Sequence, residues 1–157
     1  MSSADVILRP MRWWDIAPAA QIDHERFGDT AWTQAQFWGE LAQPTRHYVV
    51  AARVHPGGEE IVGYAGLWFM PPDSDVQTLA VAAGQEGTGL GSRLLACLLD
   101  EARARGCART MLEVRADNAR AISLYSRHGF EVVSRRSSYY GPGLDAVIMC
   151  RDAKAAS

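Results

Sequence analysis

Leu79-Ala-Val-Ala-Ala-Gly-Gln-Glu-Gly-Thr-Gly-Leu-Gly-Ser-Arg-Leu-Leu95 reads as a strand end, a glycine-rich loop and a helix start. The strand is expected over Gln77 to Ala82. The helix shows itself in Leu90, Leu94, Leu95 and Leu98, which share one face at helical spacing, and it stops at Gly106. Glycines let backbone N–H groups come close to a ligand, and a helix N-terminus adds a fractional positive charge. A loop of this kind suits phosphate oxygens; it also suits a plain tight turn. Two phosphate-loop patterns do not fit. A P-loop needs Gly-Lys-Ser/Thr, and here Gly91 meets Ser92 with no lysine. A dinucleotide fingerprint needs G-x-G-x-x-G at the first strand of a large parallel domain, whereas Gly87-Thr-Gly89-Leu-Gly91 lies beyond residue 80.

Outward from this loop, the pattern gives strands at Val6 to Leu8, Tyr48 to Val54 and Ile61 to Phe69, the last two joined by a turn at His55-Pro-Gly-Gly58. Asp15 is placed to cap a helix reaching about Arg26, and Thr33-Gln-Ala-Gln36 is a capping box for a second helix. Thr110 to Val114 reads as a strand. Asp117 or Asn118 then caps a helix carrying Ala121, Ile122 and Tyr125, which stops at Gly129. Val132-Val133 and Ala146 to Met149 close the chain as strands. The order β-α-α-β-β-β-α-β-α-β-β predicts a mixed α/β fold whose sheet has helices on its faces.

The chain has 157 residues, enough for one domain, expected over 1–151 with a tail at 152–157. Apolar residues make up 48% and charged residues 22%, which excludes a disordered or collagen-like chain. No apolar run approaches the roughly 18 residues of a membrane span, and no secretory signal is visible. Three cysteines without close pairing fit a reducing compartment, so a cytoplasmic location is expected, and no C-x-x-C points to zinc. Residues 1–82 carry five Arg against ten Asp/Glu, and residues 83–151 ten Arg against seven. An acidic half suits a cationic substrate, and Asp23, Glu25 and Asp29 are candidates for drawing in a basic peptide; a basic half suits an anionic ligand.

Glu86-Gly-Thr-Gly89-Leu-Gly91 resembles the acetyl-CoA loop of the GNAT (Gcn5-related) N-acetyltransferases at both glycines of Gln/Arg-x-x-Gly-x-Gly/Ala, with Glu86 in the Gln/Arg position. LEVRADNARAISLYSRHGF (Leu112 to Phe130), Tyr139-Tyr140 and DAVIM (Asp145 to Met149) resemble the RimI-type branch, which acetylates N-terminal alanine of a ribosomal protein. That branch often has Arg residues directly before the Tyr-Tyr pair; here Ser137-Ser138 separate Arg135-Arg136 from it. The resemblance implies a GNAT fold with a central mixed, mostly antiparallel sheet, and acetyl-CoA as acetyl donor. It implies that the backbone of Leu79, Ala80 and Val81 pairs with the pantetheine arm. Gly87, Thr88, Gly89, Leu90, Gly91 and Ser92 would hold the diphosphate, and Asn118 the arm. Glu113 would accept a proton and Tyr125 would donate one. Read from the residues themselves, Tyr139-Tyr140 before Gly141-Pro-Gly143 suit a loop that covers a peptide, and equally a hydrophobic cap at a strand end. The resemblance implies a protein N-terminus as partner, with neither nucleic acid nor membrane bound directly.

The chemistry asks for such groups. An amine attacks a thioester only when neutral, and an α-amine, with a pKa of about 7.7–8.0, needs modest help from a carboxylate. The departing thiolate needs a proton, which a phenol can give. Read singly, Glu113 is also a plain surface acid, Tyr125 a core residue and Asn118 a helix cap. Two other functions stay open on the sequence: acetylation of a small amine, and a non-catalytic acyl-CoA-binding module.

Overall fold

In a computed structural model, residues 5–153 are described; of the expected tail, 154–157 lie outside the described residues. Strands β1 (Val6–Pro10), β2 (Arg46–His55), β3 (Gly58–Met70), β4 (Asp73–Val81), β5 (Arg109–Arg115), β6 (Glu131–Arg136) and β7 (Ala146–Asp152) form one sheet, in the order β1-β2-β3-β4-β5-β7-β6. Every pairing is antiparallel except β4 with β5. Helices α1 (Ile16–Phe27) and α2 (Gln34–Leu41) precede β2, α3 (Leu90–Ala104) joins β4 to β5, and α4 (Ala119–Arg127) joins β5 to β6.

Each face of the sheet carries its own core. Leu90, Leu94, Leu95 and Leu98 of α3 recur at helical spacing and are buried with Val62, Leu67, Leu112 and Tyr125. Burial of a leucine of this kind contributes about 1.5–3 kcal/mol. On the opposite face, Ile16, Ala19 and Ile22 of α1 and Phe37 of α2 pack on Tyr48, Val50 and Tyr64. Gly66 permits this second core: a Cβ there would meet the Tyr48 ring at 2.3–2.7 Å, so the ring lies directly on bare backbone.

Local signals place most boundaries. The Thr33 capping box forms as expected, with Thr33 accepting from the Gln36 N–H at 3.2 Å and Gln36 accepting from the Thr33 N–H at 2.7 Å. His55 pairs with Gly58 around a two-residue turn. Asp15 differs from expectation. It precedes α1 without bonding to it, because its carboxylate accepts the Arg12 N–H at 2.8 Å and is paired by Arg9 at 2.7 Å. Strand β4 also starts four residues before the expected Gln77. Asp73, Ser74 and Asp75 have poor strand propensity, yet they are flanked by β3 and β5, and the Ser74 hydroxyl is 2.8 Å from that of Thr110. Tertiary pairing outweighs propensity there.

Candidate active site

Strands β4 and β5 pair only from Asp73↔Arg109 to Val76↔Leu112. Beyond that point they part, and Gln77–Val81 loses its neighbour on the β5 side. A bulge assists the parting. Against β3, Gly66 pairs with Thr78 and Leu67 with Val76, which leaves Gln77 as an extra residue in β4. A bulge bends its strand and raises the local twist. The Tyr48 hydroxyl donates to Gln77 Oε1 at 2.7 Å and fixes the bulge. The gap opens into a cavity of about 910 Å³.

Leu79, Ala80 and Val81 form one wall of the cavity. Their backbone groups on the β5 side have no strand to bond with, so an amide-bearing chain laid in the gap would complete the ladder. At the far end lie Gly87, Gly89, Leu90, Gly91 and Ser92. Gly89 is the cap residue of α3 with φ +83, and Gly87 has φ +76; no atom stands within 4 Å of a Cβ built on either. The loop thus forms an open cradle of main-chain amides, with the unsatisfied N–H groups of a helix start beside it. Thr88 differs from its neighbours: its hydroxyl donates to the Gln85 carbonyl at 2.6 Å and closes the turn. Leu90 sends its side chain into the core, 2% exposed, so only its backbone is available.

Asn118 caps α4, its side chain accepting the Ala121 N–H at 3.1 Å, and it also lines the cavity. Tyr125, two turns on, lines it too. Its side chain is buried, its ring packs edge-on to Phe130 with centroids 5.8 Å apart, and burial pushes the phenol up to about 12. It therefore keeps its proton at neutral pH. Glu113 enters from the other face of the sheet. Leu112 and Val114 point into the α3 core, and strand alternation turns Glu113 away from it. Arg136 Nη1 is 3.5 Å from Glu113 Oε1, and the Tyr139 phenol is hydrogen-bonded to the same carboxylate, which raises the tyrosine's pKa.

The tyrosine pair divides its positions. Tyr140 lines the cavity, while Tyr139 is about half exposed beside Glu113; their rings meet edge-on at 5.0 Å. Asp145 holds the loop by accepting from the Ser138 N–H at 2.8 Å and from Arg135 at 3.0 Å. The two arginines displaced by Ser137-Ser138 thus take separate partners, Arg135 on Asp145 and Arg136 on Glu113.

Two carboxylates, Asp23 in the cavity lining and Asp75 within reach of the Glu113 charge, have surroundings that the sequence pattern does not reveal. Asp23 is 2% exposed, so it is not a solvent-facing charge of the kind expected. It accepts the Trp32 N–H at 2.6 Å and the Tyr64 hydroxyl, and burial raises it to about 6. It ties the α1–α2 connection to β3. Asp75 stands in the row across the sheet formed by Arg46, Trp68 and Met111. Burial first, and the nearby Glu113 charge second, raise it to about 6. The charged pattern Asp73-Ser-Asp75 beside apolar Val76 is the sequence signal here, and nothing in it reveals Glu113, 38 residues on, as a neighbour. Among the described residues, no group of three or more His, Cys, Asp or Glu could hold a metal.

The sequence matches the acetyltransferase (GNAT) family over residues 11–130. The chain belongs to the GNAT family. N-alpha-acetyltransferase RimI of Mycobacterium tuberculosis is 41% identical over 144 residues, covering 88% of this chain and 87% of that protein. An uncharacterized protein of Mycobacterium leprae is 41% identical over 146 residues; this chain spans only 39% of its length. The crystal structure of the ribosomal-protein-S18-alanine N-acetyltransferase from Escherichia coli superposes with a TM-score of 0.81 at 27% identity, covering 94% of each chain. The GNAT resemblance read from the glycine loop is therefore confirmed at the level of family and fold.

Proposed function

We propose that this GNAT chain transfers the acetyl group of acetyl-CoA to a protein N-terminal α-amine, with the N-terminal alanine of a small-subunit ribosomal protein as substrate. The observation that carries this reading is the parted β4/β5 gap, with Tyr125 and Glu113 reaching it from opposite faces. The names of the M. tuberculosis and E. coli relatives support the choice of an N-terminal amine. The three free cysteines are compatible with a reducing cytoplasm.

In this reading, Leu79, Ala80 and Val81 bind the pantetheine arm through their backbone, as an added strand would be bound. Gly87 to Ser92 hold the diphosphate on main-chain amides, Thr88 by shaping the turn, and Asn118 contacts the arm. Acetyl-CoA supplies the activated thioester. Glu113 takes a proton from the α-ammonium, directly or through water. The neutral amine forms the C–N bond as the C–S bond breaks, and Tyr125 gives its proton to the departing sulfur. The newly acylated nitrogen sheds its second proton through solvent to the Tyr125 phenolate, and Glu113 releases its proton to bulk water, so an ammonium and a thioester become an amide, a thiol and one free proton per turnover. The acetyl group never rests on the protein. Tyr139 and Tyr140 supply rigid surface for the peptide, with Tyr139 also steadying Glu113.

Mass spectrometry after incubation with acetyl-CoA tests the proposal. A peptide with free N-terminal alanine gains one acetyl group, and the same peptide with a blocked N-terminus gains none. Acetylation of a small polyamine in preference to every such peptide would overturn the substrate, and coenzyme binding without transfer to any amine would overturn the reaction.

A further inference from the structure

Glu86 occupies the loop position where the GNAT resemblance has Gln or Arg, and there it faces two arginines from distant elements. Its Oε1 is paired with Arg26 at the end of α1, and its Oε2 lies 3.0 Å from Arg120 Nη1 in the first turn of α4. All three residues line the cavity, next to the amide cradle of Gly87 and Gly89. One carboxylate therefore occupies two guanidinium groups at the mouth of a cleft otherwise built for an anion.

The ordering of affinities makes this arrangement exchangeable. Glu86 is about one-third exposed and Arg120 two-thirds, so their ion pair gains little from its geometry. A phosphate offers a guanidinium more charge and a matched pair of oxygens. A phosphate in the cradle would also repel the Glu86 carboxylate. We propose that Glu86 is an internal stand-in for phosphate: Arg26 and Arg120 are phosphate-binding residues of the coenzyme site, and coenzyme binding exchanges Glu86 for phosphate oxygens on both. The inference rests on the acetyl-CoA reading of the cleft. It accounts for an acidic residue in a phosphate loop as a competitor that lowers affinity and sharpens selection for highly charged ligands.

Titration calorimetry with CoA and with pantetheine, which carries no phosphate, tests it. Glu86→Gln tightens CoA about three- to ten-fold, and Arg26→Gln/Arg120→Gln weakens it about ten-fold or more. Neither variant changes pantetheine affinity, measured by competition, more than about two-fold. If Glu86→Gln binds CoA no tighter than the unmodified protein, or if the arginine variant binds it equally well, the exchange is refuted. Equal losses on CoA and pantetheine also refute it, since Glu86 would then be only a brace between α1 and α4. Absence of CoA binding by the unmodified protein removes the acetyl-CoA reading and this inference together; CoA binding that the variants do not alter removes this inference alone.

Discussion

Asp75→Asn should make the protein more stable at neutral pH, an unusual outcome for a change at a half-buried polar residue. Asp75 titrates at about 6 in the folded chain, against 3.8 for the ordinary carboxylate. At about 1.36 kcal/mol per pH unit, that difference is worth about 3 kcal/mol against the folded state once the group is ionised. Solvent screening at a partly exposed group reduces the benefit expected from Asn to about 1–3 kcal/mol. The sign follows from proton counting. Below pH 3.8 both states hold the proton and no penalty exists. Between about 4 and 6 the folded state binds more protons than the unfolded one, so stability falls as pH rises; above 6 the penalty is complete. Urea melts of both proteins at pH 4, 5, 6 and 7 should show a difference that is smallest at pH 4 and grows to its plateau by pH 7. Carboxylates that do not interact with Asp75 titrate alike in both proteins and cancel in this difference. A difference independent of pH, or a variant less stable at pH 7, would show that burial and the Glu113 charge do not govern Asp75.

Glu113→Gln should lower turnover about 10²- to 10⁴-fold while calorimetry finds CoA binding retained; unchanged turnover removes Glu113 from proton transfer. Tyr125→Phe should slow single-turnover chemistry far more than it weakens CoA binding, since the ring still packs on Phe130. Gly89→Val places a β-branched residue at φ +83 and crowds the amide cradle; CoA affinity should collapse, with at most about 1–3 kcal/mol lost in a denaturant melt. Gly66→Ala should cost about 1–3 kcal/mol of stability in the same assay, because its methyl overlaps the Tyr48 ring, and an unchanged midpoint would mean that the ring moves freely.

Much of the candidate site was legible because its parts are local. The amide cradle needs only consecutive residues: Gly87 and Gly89 adopt positive φ within one loop, and α3 follows at once. Tyr125 and Asn118 share a face because helical periodicity dictates it. The tyrosine loop was legible in composition but not in position. Which of Tyr139 and Tyr140 faces the cavity depends on how Asp145 pins Ser138 and Arg135.

By itself the sequence determined the order of elements, the glycine cradle, the helix faces and the family, since each follows from spacing within a few turns of chain. Only the tertiary structure decided where the sheet opens. That opening needs Gln77 bulged between β3 and β4, the Tyr48 hydroxyl holding it, and a β4/β5 pairing that stops at Val76 and Leu112. Those partners lie far apart in the chain, as do Asp75 and Glu113, or Glu86 and its two arginines. Charges and hydrogen bonds act through space, and a linear pattern records no distance between residues that meet only after folding.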